Sequence, residues 1–200
     1  MAKRPYRMKK RAAARDDTRE RILRATMELH DEQGVATTTF ADVAGRAHVG
    51  AATVYRNFPT LGSLVEACGM HVWQDMRPLV PDDAPAAFEG LTSREARRAR
   101  LTEVLDAFYR RGAFRLVRAG QDRHRVPGLD FFLTQVEAGI EAHVREALGA
   151  AASEEEIGIV RALTVLRVWS SLKDYLPEAD LRALILKLIE SALARPGAKA

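Results

Sequence analysis

Cysteine is almost missing from this 200-residue chain: Cys68 stands alone. A single thiol excludes an internal disulfide and fits a reducing compartment, where its simplest role is that of a small buried hydrophobe. No apolar run approaches the roughly 18 residues needed to cross a membrane. The basic N-terminus leads into RAAARDDTRE and not into an apolar core segment, so it does not read as a secretory signal. A cytoplasmic protein without a membrane partner is expected. The five histidines, His30, His48, His71, His124 and His143, form neither HExxH nor a tight Cys/His group. Glu137, Glu141, His143 and Glu146 share one helical stretch but lack the Glu-x-x-His spacing of metal sites in helical bundles. No glycine-rich loop leads into Lys-Ser or Lys-Thr, as a phosphate-binding loop would. These absences argue against a metal, a cofactor and an enzyme. Convincing strands, internal repeats and low-complexity tracts are lacking too, which points to an all-α fold.

What remains is globular in composition, 47% hydrophobic and 29% charged, with length for one large domain or two small ones. The net charge of +4 is unevenly spread. Residues 1–60 hold 12 Lys and Arg against 7 Asp and Glu, while the other 140 hold 19 against 20. The positive excess is therefore confined to the first 60 residues, as a phosphate-binding footprint would be.

Within that region, 38–58 read as two short helices joined by a tight bend. Thr39 can cap the first, whose Phe40, Val43 and Ala44 at i, i+3 and i+4 form one buried face. The bend runs through Ala47, His48, Val49 and Gly50, and the second helix turns Val54 and Phe58 inward. Gly50, Ala51, Ala52, Thr53, Tyr55, Arg56 and Asn57 are left for its outer side. A short helix presented by a small bundle suits the major groove of DNA, so this is read as a helix-turn-helix. Its opening residues, Gly50, Ala51 and Ala52, carry no hydrogen-bonding side chain. Reading of thymine methyls by Ala51 or Ala52, of DNA shape, and a bond from Thr53 or Arg56 is expected in place of a dense code.

Upstream, KRPYRMKKRAAAR (3–15) is a basic flexible arm. It is either a solvated terminus or, beside the helix-turn-helix, a segment that orders on DNA through Arg7, Lys10 and Arg11. Asp16, Asp17 and Thr18 are expected to cap the first long helix, and Gly34 to end it.

The succession Gly34, Thr38-Thr39, Asp42-Val43-Ala44, Ala47, Val49, Thr53-Val54-Tyr55, Phe58 and Leu64 resembles the tetracycline-repressor (TetR) family pattern, from about Thr18 to Leu64. The resemblance implies an all-helical homodimer, with an N-terminal DNA-binding domain and a C-terminal domain for ligand and dimer contacts. By the same resemblance Thr38, Thr39, Tyr55 and Asn57 match positions that commonly meet the DNA backbone. Three positions depart from the pattern: His48 where the family usually has Gly, Gly50 where it often has a capping Ser, and Leu61 where it usually has Lys. The expected division is 1–15 for the arm, 16–61 for the DNA-binding domain and 62–200 for a helical effector-binding and dimerisation domain.

In that last region the periodicity predicts a helix over Leu61 to Met76 and a Pro-rich loop. Helices ending at Gly112, over 113–119, from Gly128 to Leu148 (opened by Pro127), from Glu154 to about Tyr175 and over 178–194 follow. Phe131, Phe132, Val136, Ile140 and Val144 are expected to face inward. Trp73, Phe108, Phe131, Phe132, His143 and Trp169 are the residues expected to line an effector cavity, although such residues at helical spacing also make plain core. Val160, Leu163, Trp169, Leu181, Leu184, Ile185, Leu188 and Ile189 are expected at a four-helix dimer interface. The alternative is that both stripes are used internally, leaving a monomer. The function implied is a ligand-responsive repressor: a homodimer on a near-palindromic double-stranded DNA operator, released by a small-molecule effector. An activator or co-repressor-dependent regulator of the same fold, or a helical protein-interaction module, are the alternatives.

Overall fold

The computed structural model describes the backbone of residues 3–194 and the side chains of 13–126 and 128–194. Every regular element among the described residues is helical. They divide into two units, one of Met1–Gln74 with Phe114–Leu133 and the other of Asp75–Ala113 with Thr134–Ala200. The division differs from the expected one in giving residues 114–133 to the unit that holds the helix-turn-helix.

In the first unit, α1 runs over Lys3–Gln33. It starts well before the expected caps: Pro5 falls in the first turn, where a helix tolerates it, and residues 7–15 are Arg, Met, Lys and Ala, good helix formers. The basic segment is therefore helical in its backbone. Asp17 pairs along the helix with Arg21, and the Thr18 hydroxyl donates back to the Ala14 carbonyl at 2.8 Å instead of capping. Gly34, at φ +95°, ends α1 as expected. The helices α2 (Phe40–Arg46), α3 (Ala51–Asn57) and α4 (Leu61–Met76) follow. Ile22, Leu23, Ala25 and Leu29 of α1 pack with Val43, Ala44, Val54, Phe58, Leu64 and Cys68 into one core. None of these helices would persist alone, and burial of their stripes against one another holds them.

The second unit opens with a 3-10 turn at Pro81–Asp83 and the one-turn helix α5 (Ala84–Ala87), where a proline-rich loop was expected. The long helices α6 (Arg94–Asp122) and α7 (Pro127–Leu148) each carry residues of both units. Gly112 does not end a helix as expected: α6 passes through it. Its lack of a side chain serves packing, since a Cβ there would lie 2.7 Å from the Met76 Cε. In α7, Val136 and Val144 are buried, but Phe131 stands 71% exposed, against the expected inward face.

The expected single helix from Glu154 to Tyr175 is two, α8 (Glu154–Thr164) and α9 (Leu166–Lys173), with Val165 extended between them. The carbonyl of Thr164 takes the Tyr109 hydroxyl at 2.8 Å in place of a helical N–H. The start of α8 is as expected, a capping box of Ser153 with Glu156. In α10 (Glu178–Leu193), Leu181, Ile185 and Ile189 are buried, and this helix packs on α8 within the chain. Of the residues expected at a dimer interface, Val160, Trp169, Leu181, Ile185 and Ile189 are thus consumed in the chain's own core. Leu163 and Leu184 are half-buried and Leu188 is exposed. A stripe at helical spacing states that a face is buried, not by whom.

Candidate nucleic-acid interface

The helix-turn-helix is built from two local devices. At the start of α2 the Thr39 hydroxyl accepts the Asp42 N–H at 3.2 Å, and Asp42 accepts the Thr39 N–H at 2.9 Å. This reciprocal capping box holds the Asp42 carboxyl below its ordinary range through the Thr39 hydroxyl and N–H bonds. At the end of α2 the His48 N–H donates to the Gly45 carbonyl at 3.2 Å and the Val49 N–H to that of Ala44 at 3.0 Å. That is a Schellman turn, with His48 in its left-handed position at φ 53°. His48 therefore occupies the one backbone position in the bend where a glycine would be unstrained, which gives the departure at this position a physical meaning.

The bend delivers α3 with Val54 and Phe58 buried and its other side turned to solvent. Gly50 precedes α3 without a side-chain cap. Ala51, Ala52, Tyr55 and Arg56 are exposed; Thr53 and Asn57 are half-buried. Tyr55, 55% exposed, rests one ring edge on Phe40, with centroids 4.6 Å apart. Arg56 reaches back to the Thr53 hydroxyl at 3.3 Å, and the Asn57 amide donates to the Thr53 carbonyl at 2.8 Å. Thr39 is exposed at the head of α2, but Thr38 departs from expectation. It is buried, and its hydroxyl donates to the Gly34 carbonyl at 2.8 Å, which closes the α1–α2 connection instead of displaying the group. Leu61 is partly exposed at the start of α4. The side chains of Arg7, Lys10 and Arg11 lie outside the described residues.

Two groups that the sequence did not single out hold this arrangement. Arg19 of α1 donates to the Asn57 carbonyl at 3.0 Å and lies 4.2 Å above the Phe58 ring. Asp122, at the end of α6, accepts the N–H groups of Val35 and Ala36 at 2.9 and 3.0 Å. The partners are 38 and about 87 positions apart, so no local pattern announces them. Nearby, Arg46 of α2 is engaged by Glu32 of α1 at 2.9 and 2.6 Å, which removes one cation from the surface charge. Burial lowers the His30 imidazole to about 4, with Asp31 and Asp122 opposing the shift. Its Nε2 is buried without a hydrogen-bond partner. Burial likewise pushes the Cys68 thiol up to about 12, the behaviour of an inert core residue.

The six residues expected around an effector do not converge on one cavity. In the first unit Trp73 meets Phe132 edge-on at 5.5 Å, while Phe131 is exposed. In the second, His143 is buried against Phe88, its Nδ1 2.8 Å from the Gly139 carbonyl. Phe108 and Trp169 flank Tyr109, with centroids 5.5 and 5.7 Å from it. Trp169 alone of the six lines the small cavity bounded by Thr102, Asp106, Tyr109, Thr164 and Arg182. Its volume, about 10 Å³, suits one water. Buried Asp106 accepts the Trp169 indole N–H at 3.0 Å and Arg110 at 2.8 Å. Among the described residues no group of three or more His, Cys, Asp or Glu could hold a metal ion, and no helix is long and apolar enough to cross a membrane.

A capped helix, a Schellman bend and a second helix with a solvent-facing outer side define a helix-turn-helix protein. Residues 22–68 match the N-terminal profile of the bacterial regulatory proteins of the tetR family. Through these residues the N-terminal part of the chain carries a DNA-binding domain of the TetR-family type. Over 78 residues it is 33% identical to the HTH-type transcriptional repressor Rv3405c of Mycobacterium tuberculosis, a match covering 39% of this chain and 42% of that protein. The chain thus spans less than half the length of this relative. Among solved structures, a proposed TetR-family regulator from Mesorhizobium loti superposes with a TM-score of 0.59 at 12% identity, over 90% of this chain and 96% of that one. The TetR-like regulator LfrR from Mycobacterium smegmatis, in complex with proflavine, gives 0.53 at 20% identity, over 91% and 99%. At such identities the likeness is one of fold.

Proposed function

We propose that the protein is a cytoplasmic transcriptional repressor. It binds a near-palindromic operator as a homodimer and releases it when a small molecule occupies the C-terminal region. The observation that carries this reading is the outer side of α3: Ala51, Ala52, Thr53, Tyr55 and Arg56 face away from the core on a helix fixed at its start by a Schellman bend. The concentration of positive charge in the first 60 residues supports it. In a complex, Ala51 and Ala52 would take thymine methyls, and Thr39, Tyr55 and Arg56 would meet bases or phosphates. Gly50 brings the backbone close, and Asn57 contributes from the end of the helix. Arg7, Lys10 and Arg11 would extend the contact along the backbone.

Two copies would pair through the surface that the internal core leaves free on α8 to α10, where Leu163, Leu184 and Leu188 are only partly covered or exposed. LfrR is seen with proflavine, and an apolar or aromatic effector is the matching expectation for this chain. The cavity beside Trp169, about 10 Å³, is too small for such a ligand, while the open groove along Thr102, Glu103, Ala179, Arg182 and Leu186 offers about 210 Å³; a ligand that favours a DNA-incompetent conformer would shift the population from DNA.

Selection of binding sites from random duplex DNA tests the proposal. An enriched inverted repeat is expected, with half-sites about one helical turn apart or a multiple of it. Salt-sensitive general binding with no enriched sequence would refute it.

A further inference from the structure

We propose that Arg19 is the residue that sets the angle of the recognition helix, an inference that rests on the reading of α3 as the DNA-facing element. Helix α3 has seven residues and only one of them, Val54, is buried within it. Phe58, just past its end, is the second anchor. The edge contact of Tyr55 with Phe40 adds a tie to α2. The start of α3 is held by the preceding bend; at its end the Asn57 amide and the Phe58 N–H meet the Thr53 and Val54 carbonyls, while the Asn57 carbonyl lacks a donor within the helix. Arg19 supplies what is missing. Its guanidinium donates to the Asn57 carbonyl at 3.0 Å and covers the Phe58 ring at 4.2 Å, so one planar group grips both the last residue of α3 and its cap. A cation also complements the negative end of the helix dipole. Because the grip comes from α1, the end of α3 is fixed relative to the longest element of the unit. Lysine would keep the charge but lose the planar stacking and the fork of donors.

Arg19 is exposed, so it could instead touch a phosphate directly, and the two roles separate experimentally. Amide exchange of the free protein is the first readout, on wild type, Arg19→Met and Arg19→Lys. Exchange of Val54 to Phe58 is expected to rise about fivefold or more in Arg19→Met and less in Arg19→Lys, with α2 unchanged. Affinity for the selected operator is then expected to fall about tenfold in Arg19→Met, with general DNA affinity and the salt slope unchanged. Unchanged exchange in α3, unchanged operator affinity, or a slope reduced by about one phosphate contact would each overturn the proposal. The exchange measurement needs no DNA. Failure to select any operator would therefore sink the functional reading and leave the helix position to be decided by exchange alone.

Discussion

Replacing Asp122 by alanine removes a carboxylate that accepts two successive backbone N–H groups, those of Val35 and Ala36, at 2.9 and 3.0 Å. The site is close-packed: a Cβ on Gly34 would lie 3.0 Å from the Asp122 Oδ2, and Gly34 itself sits at φ +95°. Hydrogen bonds to a charged acceptor contribute about 1.5–3 kcal/mol each, and a buried donor left without a partner costs about 1–3 kcal/mol. Val35 is buried, so its N–H bears that loss in full. Ala36 is half-buried and recovers part of it from water. The expected destabilisation for Asp122→Ala is therefore about 3–4 kcal/mol. Both N–H groups meet the same oxygen, Oδ2, so Asp122→Asn keeps both bonds through its amide oxygen and loses the charge and the Oδ1 contact with Arg125; about 1–2 kcal/mol is expected. Urea unfolding followed by far-ultraviolet circular dichroism gives the difference at constant slope. Amide exchange at residues 35 and 36 localises it. A loss under about 1 kcal/mol for the alanine variant, well short of a normal charged hydrogen bond, would refute the claim that this carboxylate clamps the α1–α2 connection.

Three further outcomes are expected. His48→Gly relieves a left-handed backbone at φ 53° and should raise stability by about 0.5–1 kcal/mol in thermal unfolding; a lowered midpoint would show that the imidazole contributes more than the strain. Gly139→Ala places a Cβ 1.8 Å from the Leu79 carbonyl oxygen, an overlap no rotamer relieves, and should destabilise by about 3 kcal/mol or more; wild-type stability of the purified variant would contradict the close approach. His30 titrates at about 4 in the fold against the ordinary 6.5, so the unfolded chain binds the extra proton between those values. Stability should therefore fall as the pH drops through that window, by about 2 kcal/mol at pH 5 from this group. His30→Gln should flatten the difference between urea midpoints at pH 7 and pH 5, and an unchanged difference would assign the acid sensitivity elsewhere.

The parts of this protein that were legible in its residues are those decided within a turn or two of chain. Thr39 with Asp42, Ser153 with Glu156, Gly34 after α1 and Pro127 at the head of α7 act on backbone groups a few positions away, so residue type and spacing were enough to place them. The helix-turn-helix was legible for the same reason, and so was the basic character of its surroundings. Where local signals were equivocal the reading departed from the structure. Gly112 looked like a stop and is a packing contact, and Thr164–Val165 looked continuous and is a break closed by a hydroxyl from α6.

The sequence by itself determined that the chain is all-helical, that its first 60 residues carry the charge and the motif for DNA, and which faces of its helices are apolar. Tertiary structure alone decided what those faces meet. It drew Val160, Leu181, Ile185 and Ile189 into the chain's own core, turned Thr38 inward and left Phe131 in solvent. It also brought Arg19 to Asn57 and Asp122 to Val35, contacts between residues far apart in the chain. The physical reason is that periodicity encodes the orientation of a side chain about its own helix axis, whereas the partner on that side depends on how the helices pack. Many pairings satisfy the same stripes, and the choice among them is made by close packing and by the need to satisfy each buried polar group.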